Sequence, residues 1–237
     1  MPNHSNFKKL MRLTLIGLAF FSCLINSHFS FADTEEDGRF WFSIYTQGAL
    51  PKEKWFWSLD IHPRLRDEGS HFDTLILRPA LFYKITPKTS IWTGYDTINN
   101  HPAGQSSFQE NRLWEQVMHQ FEPFGGLTLT VRTRFEQRDR EDYSDIAHRL
   151  RQMVRATTPS SLHQQLSWVI WDELFINLNQ TDWGVMRGTD QNRLFLGANW
   201  KFDELSNLEV GYINQYVNGK TIDRENHILS STIRFNF

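Results

Sequence analysis

Residues 127–138 read Leu-Thr-Leu-Thr-Val-Arg-Thr-Arg-Phe-Glu-Gln-Arg, and this stretch decides the fold class. Leu127, Leu129, Val131, Thr133 and Phe135 occupy every second position, and threonine, arginine or glutamate stands between them. Successive side chains of a β-strand point to opposite faces, so this spacing gives one apolar face and one charged face. The stretch therefore predicts a strand that separates an apolar environment from a polar one.

The same two-residue period recurs along most of the chain, over 55–65, 192–202 and 208–212. Mean hydropathy is −0.49, although the chain holds 9 Trp and 19 Phe. A membrane-spanning barrel combines these features, because half of each strand faces lipid and half a polar lumen. We predict an all-β, antiparallel, up-and-down transmembrane barrel of 10 to 12 strands. The count comes to about eleven, and we expect ten or twelve because bacterial barrels normally have even numbers. A soluble β-sandwich is the alternative.

The connections and the C-terminus favour the barrel. Connections predicted as short fall at 86–89, 122–126, 159–163 and 203–206, and longer polar ones at 99–110, 139–145, 178–190 and 218–224. Short periplasmic turns alternate with longer outer loops in outer-membrane barrels. The last strand closes on Phe237. Such an ending resembles the signal that barrel-assembly machinery reads, so we expect that machinery and outer-membrane lipid as partners.

The N-terminus has the three parts of an export signal. Lys8, Lys9 and Arg12 precede an apolar stretch, and small residues at 30 and 32 provide a cleavage site. We predict a cleaved signal peptide over 1–32, an N-terminal segment over 33–39 and the barrel over 40–237, in the outer membrane of a Gram-negative cell. Cys23 is the only cysteine, so cleavage would leave neither disulfides nor thiolate metal sites.

Charge excludes one class of partner. The chain beyond residue 32 carries 22 basic and 27 acidic residues with no basic tract, which does not suit the binding of a nucleic acid backbone. The nine histidines are scattered along the sequence, so we predict no metal site and no cofactor.

After Gly38 the chain resembles the bacterial family known as domain of unknown function 2490. The resemblance rests on Trp41, the run 132–138, Arg149-Leu-Arg151, Asp172-Glu173 and Asn192-Arg193, through their order and spacing. It implies an outer-membrane barrel and no activity.

Arginines on the charged strand faces are the candidate binding residues. If the apolar faces meet lipid, one set of side chains points into the lumen, with Asp60, Asp172 and Glu209 as candidate counter-charges. The predicted set is Arg132, Arg134, Glu136, Arg138, Arg149, Arg151, Arg155 and Arg193, with Arg64, Arg66 and Arg78 elsewhere in the wall. Arginine forks bind carboxylates and phosphates, so one hypothesis is a narrow pore that favours small anions. The other is a structural or interaction barrel whose lumen is filled by its own ion pairs.

A lipid-modifying hydrolase is the competing class. It would draw on His148, His227 and Ser231, but four residues along one strand separate His227 from Ser231 by roughly 13 Å, too far for proton transfer. We therefore expect a protein that is not an enzyme and name no catalytic residue. We assign Trp168, Trp171, Trp183 and Trp200 to interfacial girdles or loops.

Overall fold

A computed structural model describes residues 34–237 as one closed β-barrel of eleven strands. The predicted signal peptide and Cys23 lie outside the described residues, and the cleavage site stays a prediction. No element between residues 34 and 237 is a helix long and apolar enough to cross a membrane. The strands are β1 (Thr34–Ala49), β2 (Trp55–Arg66), β3 (His71–Thr86), β4 (Thr89–Asn100), β5 (Phe108–Gln120), β6 (Thr128–Arg140), β7 (Ala147–Pro159), β8 (Leu166–Asn177), β9 (Gly188–Lys201), β10 (Ser206–Val217) and β11 (Asp223–Asn236).

Neighbouring strands along the chain are antiparallel, and the barrel closes where β1 pairs with β11 in parallel. The predicted all-β, up-and-down barrel of 10 to 12 strands is confirmed. The expectation of an even number was wrong, because eleven strands close without an edge once the first and last run in the same direction. The parallel register extends from Thr34 opposite Asp223 to Gln47 opposite Asn236.

This register also corrects the predicted N-terminal boundary. The wall begins at Thr34 rather than at residue 40, because residues 34–39 pair along β11 as far as Ile228. Residues 34–39 are mostly polar, so they show no alternation of apolar and polar side chains in the sequence. Their parallel pairing with β11 places them in the sheet. The N-terminal segment of the prediction is therefore part of β1 from Thr34 onward.

An odd number of strands places the two ends of the described chain at opposite ends of the barrel. We call the end at which β1 begins the N-terminal end and the end that holds Phe237 the C-terminal end. Connections 50–54, 87–88, 121–127, 160–165 and 202–205 lie at the C-terminal end, and 67–70, 101–107, 141–146, 178–187 and 218–222 at the other. The predicted turns alternate between ends as expected, but 121–127 is as long as 101–107, so length separates the ends only weakly.

The two faces of the wall differ as the alternation predicted. Large apolar side chains are exposed on the outer face of many strands, among them Phe42, Leu81, Leu113, Leu196 and Leu229. The residues between them point inward and include most of the buried polar groups, from Ser43 on β1 to Asn226 on β11. An apolar exterior around a polar interior is the arrangement of a transmembrane barrel.

The interior also contains an apolar cluster, on the side of the barrel formed by β1 and β8 to β11. Trp41, Val169, Phe195, Ile213 and Ile228 are buried together. Trp171 packs against the same cluster, with its ring stacked on Phe195 at 5.1 Å between centroids. We call these six residues the apolar wall.

Two paired glycines give Phe195 its space. Gly197 and Gly211 lie opposite each other on β9 and β10, beneath the Phe195 ring. A Cβ atom at either position would come within 2.5 Å of that ring. Only glycine allows the ring to lie this close to the sheet.

Candidate functional site

The lumen contains a cavity of about 830 Å³ that begins at the C-terminal end. Its mouth is lined by Lys88 of the 87–88 turn and by strand-end residues such as Gln120 and Asn236. It extends inward past Arg112 and Arg149 to Thr74 and Asn100, which lie on β3 and β4 close to the N-terminal end of the barrel, although no residue of the described connections at that end lines it. The volume lies in the range of small-molecule sites.

The cavity wall is strongly cationic. Ten arginines and two lysines line it, against three carboxylates, Asp60, Glu173 and Glu209. Four more carboxylates lie behind these cations and pair with them, so the excess of positive charge is reduced but not removed. These four are Asp96, Glu110, Glu136 and Asp190.

The predicted site residues on β6 and β7 meet inside the barrel. Glu136 accepts hydrogen bonds from Arg149 at 2.6 and 2.9 Å and from Arg151 at 2.6 Å. Arg151 also donates to both oxygens of Glu173, which accepts from Arg132 at 2.6 Å. A chain of charge-assisted bonds thus crosses β6, β7 and β8.

The remaining residues of the predicted set have separate partners. Arg138 donates to both oxygens of Glu110, and Arg155 reaches across the lumen to Glu209 on β10. Arg134 donates to Gln116 and stacks on Trp114, with its Cζ 3.8 Å from the ring centroid. Each of these arginines points inward, as the alternation predicted.

Arg193, also in the predicted set, is placed differently. Its Nε donates to Gln191 at 3.0 Å, and its Cζ lies 4.8 Å from the Trp41 ring centroid and 4.7 Å from that of Phe175. Arg64, on β2, stacks on the same indole, with its Cζ 3.8 Å from the Trp41 ring centroid.

The candidate counter-charges were partly correct. Asp60 accepts a hydrogen bond from Arg78 at 3.0 Å, and Glu209 pairs with Arg155 and Arg234. Asp172 was wrong as a lumen counter-charge, because Glu173 faces the cavity and its neighbour therefore faces outward, where it accepts from Asn192.

The lumen carboxylates that sequence reasoning missed include Glu173, Glu110 and Asp96. Asp96 accepts from Arg78 at 3.0 Å and from the Trp114 indole at 2.6 Å. The signal that could have found all three is the position of the acids opposite or next to inward arginines in the antiparallel register.

Toward the N-terminal end, buried polar side chains fill the lumen. We call them the closing layer: Glu110, Glu136, Arg138, Arg149, Gln191, Gln215 and Asn226, each at most 9% exposed. From Arg149 the layer continues through Asp190 to Gln191, which accepts from Gln215, and Gln215 accepts from Asn226. On the β1 to β4 side, the buried residues Trp41, Ile76 and Ile98 line the cavity itself, which continues past them to Thr74 and Asn100.

The 178–187 connection covers the closing layer. The Trp183 ring lies over Arg138, whose Cζ is 5.1 Å from its centroid. Several hydrogen bonds hold this connection to the 141–146 connection. Trp183 Nε1 donates to the Asp145 carbonyl, and the Asp182 carboxylate accepts from the amide and hydroxyl of Ser144. The Asp182 amide donates to the Asp145 carboxylate, and the Asn179 side chain donates to the Ile146 carbonyl. Partial desolvation opposes the shift, but the bonds from Ser144 keep the pKa of Asp182 below its ordinary value.

Three of the four tryptophans assigned to girdles or loops are where the prediction placed them. Trp168 and Trp200 lie on outward positions of β8 and β9, and Trp183 lies in a connection. Trp171 was assigned wrongly, since it belongs to the apolar wall.

The hydrolase candidates are not assembled into a catalytic site. His227 faces outward, bonded to Tyr212, and the His148 ring stacks on Phe135. Ser70 contacts His71 at Nδ1, but Asp67 contacts the same nitrogen, whereas a triad needs the acid and the serine on opposite ring nitrogens. Among residues 34–237 no cluster of three or more His, Cys, Asp or Glu side chains could hold a metal ion.

The fold and the lumen define the class: a membrane-type β-barrel with a cationic, partly filled interior. The chain belongs to the family described as protein of unknown function (DUF2490), whose model matches residues 38–226. An uncharacterised protein of Methylorubrum extorquens is 30% identical over 223 residues, which cover 93% of this chain and 97% of that protein.

Solved structures of OmpT, an outer membrane protein of Vibrio cholerae, are also similar to this chain. A form with loop L8 deleted is 9% identical, with a TM-score of 0.43 over 73% of this chain and 57% of that chain. The in-vitro folded form is 10% identical, with a TM-score of 0.40 over 72% of this chain and 58% of that chain. The chain thus spans less than three fifths of those chains.

Proposed function

We propose that this protein is a non-enzymatic outer-membrane barrel that binds anionic solutes in its lumen and does not conduct ions. The observation that carries the proposal is the excess of cations at the cavity wall, where twelve face three carboxylates in the lining and four more behind it. Arginine guanidinium groups form paired bonds with carboxylate or phosphate oxygens. A cavity with this lining favours an anion over a neutral or cationic solute.

The closing layer supports binding over conduction. An ion that moved toward the N-terminal end on the β6 to β10 side would have to displace the bonds of Glu136 with Arg149, and of Gln191 with Gln215. On the β3 and β4 side the cavity reaches Thr74 and Asn100 and is lined by no described connection beyond them. Breaking a buried, hydrogen-bonded charge pair is costly, so this layer stays closed in the ground state. Solute would enter and leave through the mouth at the C-terminal end.

The exterior and the last strand support the proposed location. The exposed apolar side chains suit outer-membrane lipid, and the strand that ends at Asn236 with Phe237 beyond it suits recognition by barrel-assembly machinery. We place the C-terminal end in the periplasm, as in other barrels of this type. The cavity then opens toward the periplasm, and the closing layer lies toward the cell exterior.

Isothermal titration of the refolded chain with inorganic pyrophosphate tests the proposal. We expect one saturable site that weakens as NaCl increases, because screening reduces attraction between charges. Replacing Arg64 on the cavity wall by glutamine should lower affinity about tenfold, in line with the loss of a charge-assisted bond. The matched control is Arg187→Gln, which makes the same charge change in the 178–187 connection.

Absence of saturable binding to a folded chain would contradict the proposal. So would equal losses of affinity in the Arg64 and Arg187 variants, because binding would then depend on net charge and not on the cavity.

A further inference from the structure

The cavity has two chemically different sides. Most of its arginines lie on β2 to β7, whereas Trp41, Trp171, Phe195 and Ile213 of the apolar wall line it on β1 and β8 to β10. Arg193 and Arg234 lie on this second side. Trp41 belongs to the apolar wall and is also the ring on which Arg64 and Arg193 stack. We call Trp41, His62, Arg64 and Arg193 the seam, because they lie where the two sides meet.

The seam has positive charge without matching acids. Among residues 34–237, neither Arg64 nor Arg193 has a carboxylate oxygen within 4.0 Å, whereas Arg78, Arg132, Arg149 and others in the lumen each have one. Cation–π contacts with Trp41 and Phe175 orient these two guanidinium groups but leave their charge uncompensated.

Three of the four seam residues have a buried hydrogen-bonding atom without a partner. Trp41 Nε1, His62 Nε2 and Arg64 Nε are buried and have no hydrogen-bond partner in the described structure. All three residues line the cavity, and Trp41 is only 4% exposed. Indole and guanidinium nitrogens can only donate, and buried donors are almost always satisfied. Two fixed donors with two uncompensated charges therefore fit an acceptor that carries negative charge.

The surface beside the seam defines the rest of the ligand. The Trp171 and Phe195 rings are stacked and face the cavity next to Trp41. A fully hydrated inorganic ion would gain nothing from this surface. A ligand with an apolar body would cover it and remove apolar area from water.

We propose that the seam binds a small amphipathic carboxylate. Its carboxylate would accept from Arg64, Arg193 and Trp41 Nε1, and its flat or short apolar body would lie against Trp171 and Phe195. This inference rests on the proposed function, because it names the solute class of the same cavity.

Four probes titrated into the refolded chain separate charge from apolar contact. Benzoate has both features, acetate has the charge alone, toluene has the apolar body alone, and pyrophosphate tests the proposed function independently. We expect benzoate to bind at least about tenfold more tightly than acetate, with one site per chain. Decanoate in place of benzoate distinguishes an aliphatic body from an aromatic one.

Variants locate the site. Arg193→Gln should weaken benzoate and acetate alike, whereas Trp171→Leu should weaken benzoate and leave acetate unchanged. Arg187→Gln, in the 178–187 connection and outside the cavity lining, is the matched control and should leave benzoate affinity unchanged. Circular dichroism confirms that each variant is folded.

Equal affinities for benzoate, acetate and pyrophosphate would overturn this inference and leave the proposed function intact. Toluene binding as tight as benzoate binding would also overturn it, because charge would then play no part. If none of the probes binds to the folded wild-type chain, both the inference and the proposed function fail.

Discussion

The closing layer and the seam are built from the same residue type and differ in their partners. In the closing layer, Arg138 meets Glu110 and Arg149 meets Glu136 at hydrogen-bonding distance. At the seam, Arg64 and Arg193 meet aromatic rings instead. Rings alone do not make the difference, because Arg138 also lies against Trp183 and Arg149 against Phe175. An inward arginine thus fills the lumen where an acid lies near it in register, and remains available to a solute where no acid does. The comparison predicts different responses to substitution in the two regions.

Removing the central acid of the closing layer should have the largest effect. Glu136→Gln leaves Arg149 and Arg151 with one fewer carboxylate at a fully buried position, since Glu136 is 0% exposed. Breaking one partner of a buried pair costs about 3–5 kcal/mol. Urea unfolding of the refolded barrel in lipid vesicles measures the loss.

The same change at the surface gives the control. Glu204 lies in the 202–205 turn and pairs with Lys201 in solvent, so Glu204→Gln should cost no more than about 1 kcal/mol. Similar losses at positions 136 and 204 would mean that the closing layer is hydrated and open.

Packing around Trp114 offers an intermediate effect. A Cβ atom on Gly94 would lie 2.2 Å from the Trp114 ring, on which Arg134 stacks. Gly94→Ala must therefore displace the indole, and overpacking of this kind costs about 1–3 kcal/mol. Thermal unfolding of this variant should be compared with that of Thr93→Ala, which changes the outward neighbour. No difference between the two would show that the ring has free space.

The 178–187 connection should give the smallest effect. Asp182→Asn weakens the bonds from Ser144, so the Ser144 amide should exchange its hydrogen faster, while Asp142→Asn should change nothing. Because the pKa of Asp182 is lowered in the folded chain, its contribution is present at neutral pH and is lost as the pH falls through that lowered pKa. If the hydrogen-exchange protection of the Ser144 amide changes neither with pH nor in Asp182→Asn, then the Asp182 carboxylate does not hold this connection in place.

The sequence predicts the inward arginines well because β6 alternates cleanly from Leu127 to Arg138. It predicts β8 poorly, since Val169, Trp171 and Phe175 make both faces of that strand apolar and hide its phase. This is why Asp172 was chosen over Glu173, and why Trp171 was assigned to a girdle. The predicted even number of strands was wrong for another reason: no local pattern reveals that β1 runs parallel to β11.

The seam could not be predicted from one strand at a time. Trp41, Arg64 and Arg193 come from β1, β2 and β9, and only barrel closure brings β9 and β2 to the same indole. The charged periodicity predicts that arginines line the lumen. Which of these arginines pair with a carboxylate depends on the register between strands.

Single-channel recording of the refolded chain in a planar bilayer, in asymmetric salt and alongside Arg132→Ala and Arg151→Ala, shows whether the lumen is closed to ions. We expect no discrete conductance steps from folded and inserted wild-type protein, because the closing layer fills the lumen. Anion-selective steps in the wild-type chain that diminish in the two variants would contradict this expectation and establish an open path lined by these arginines.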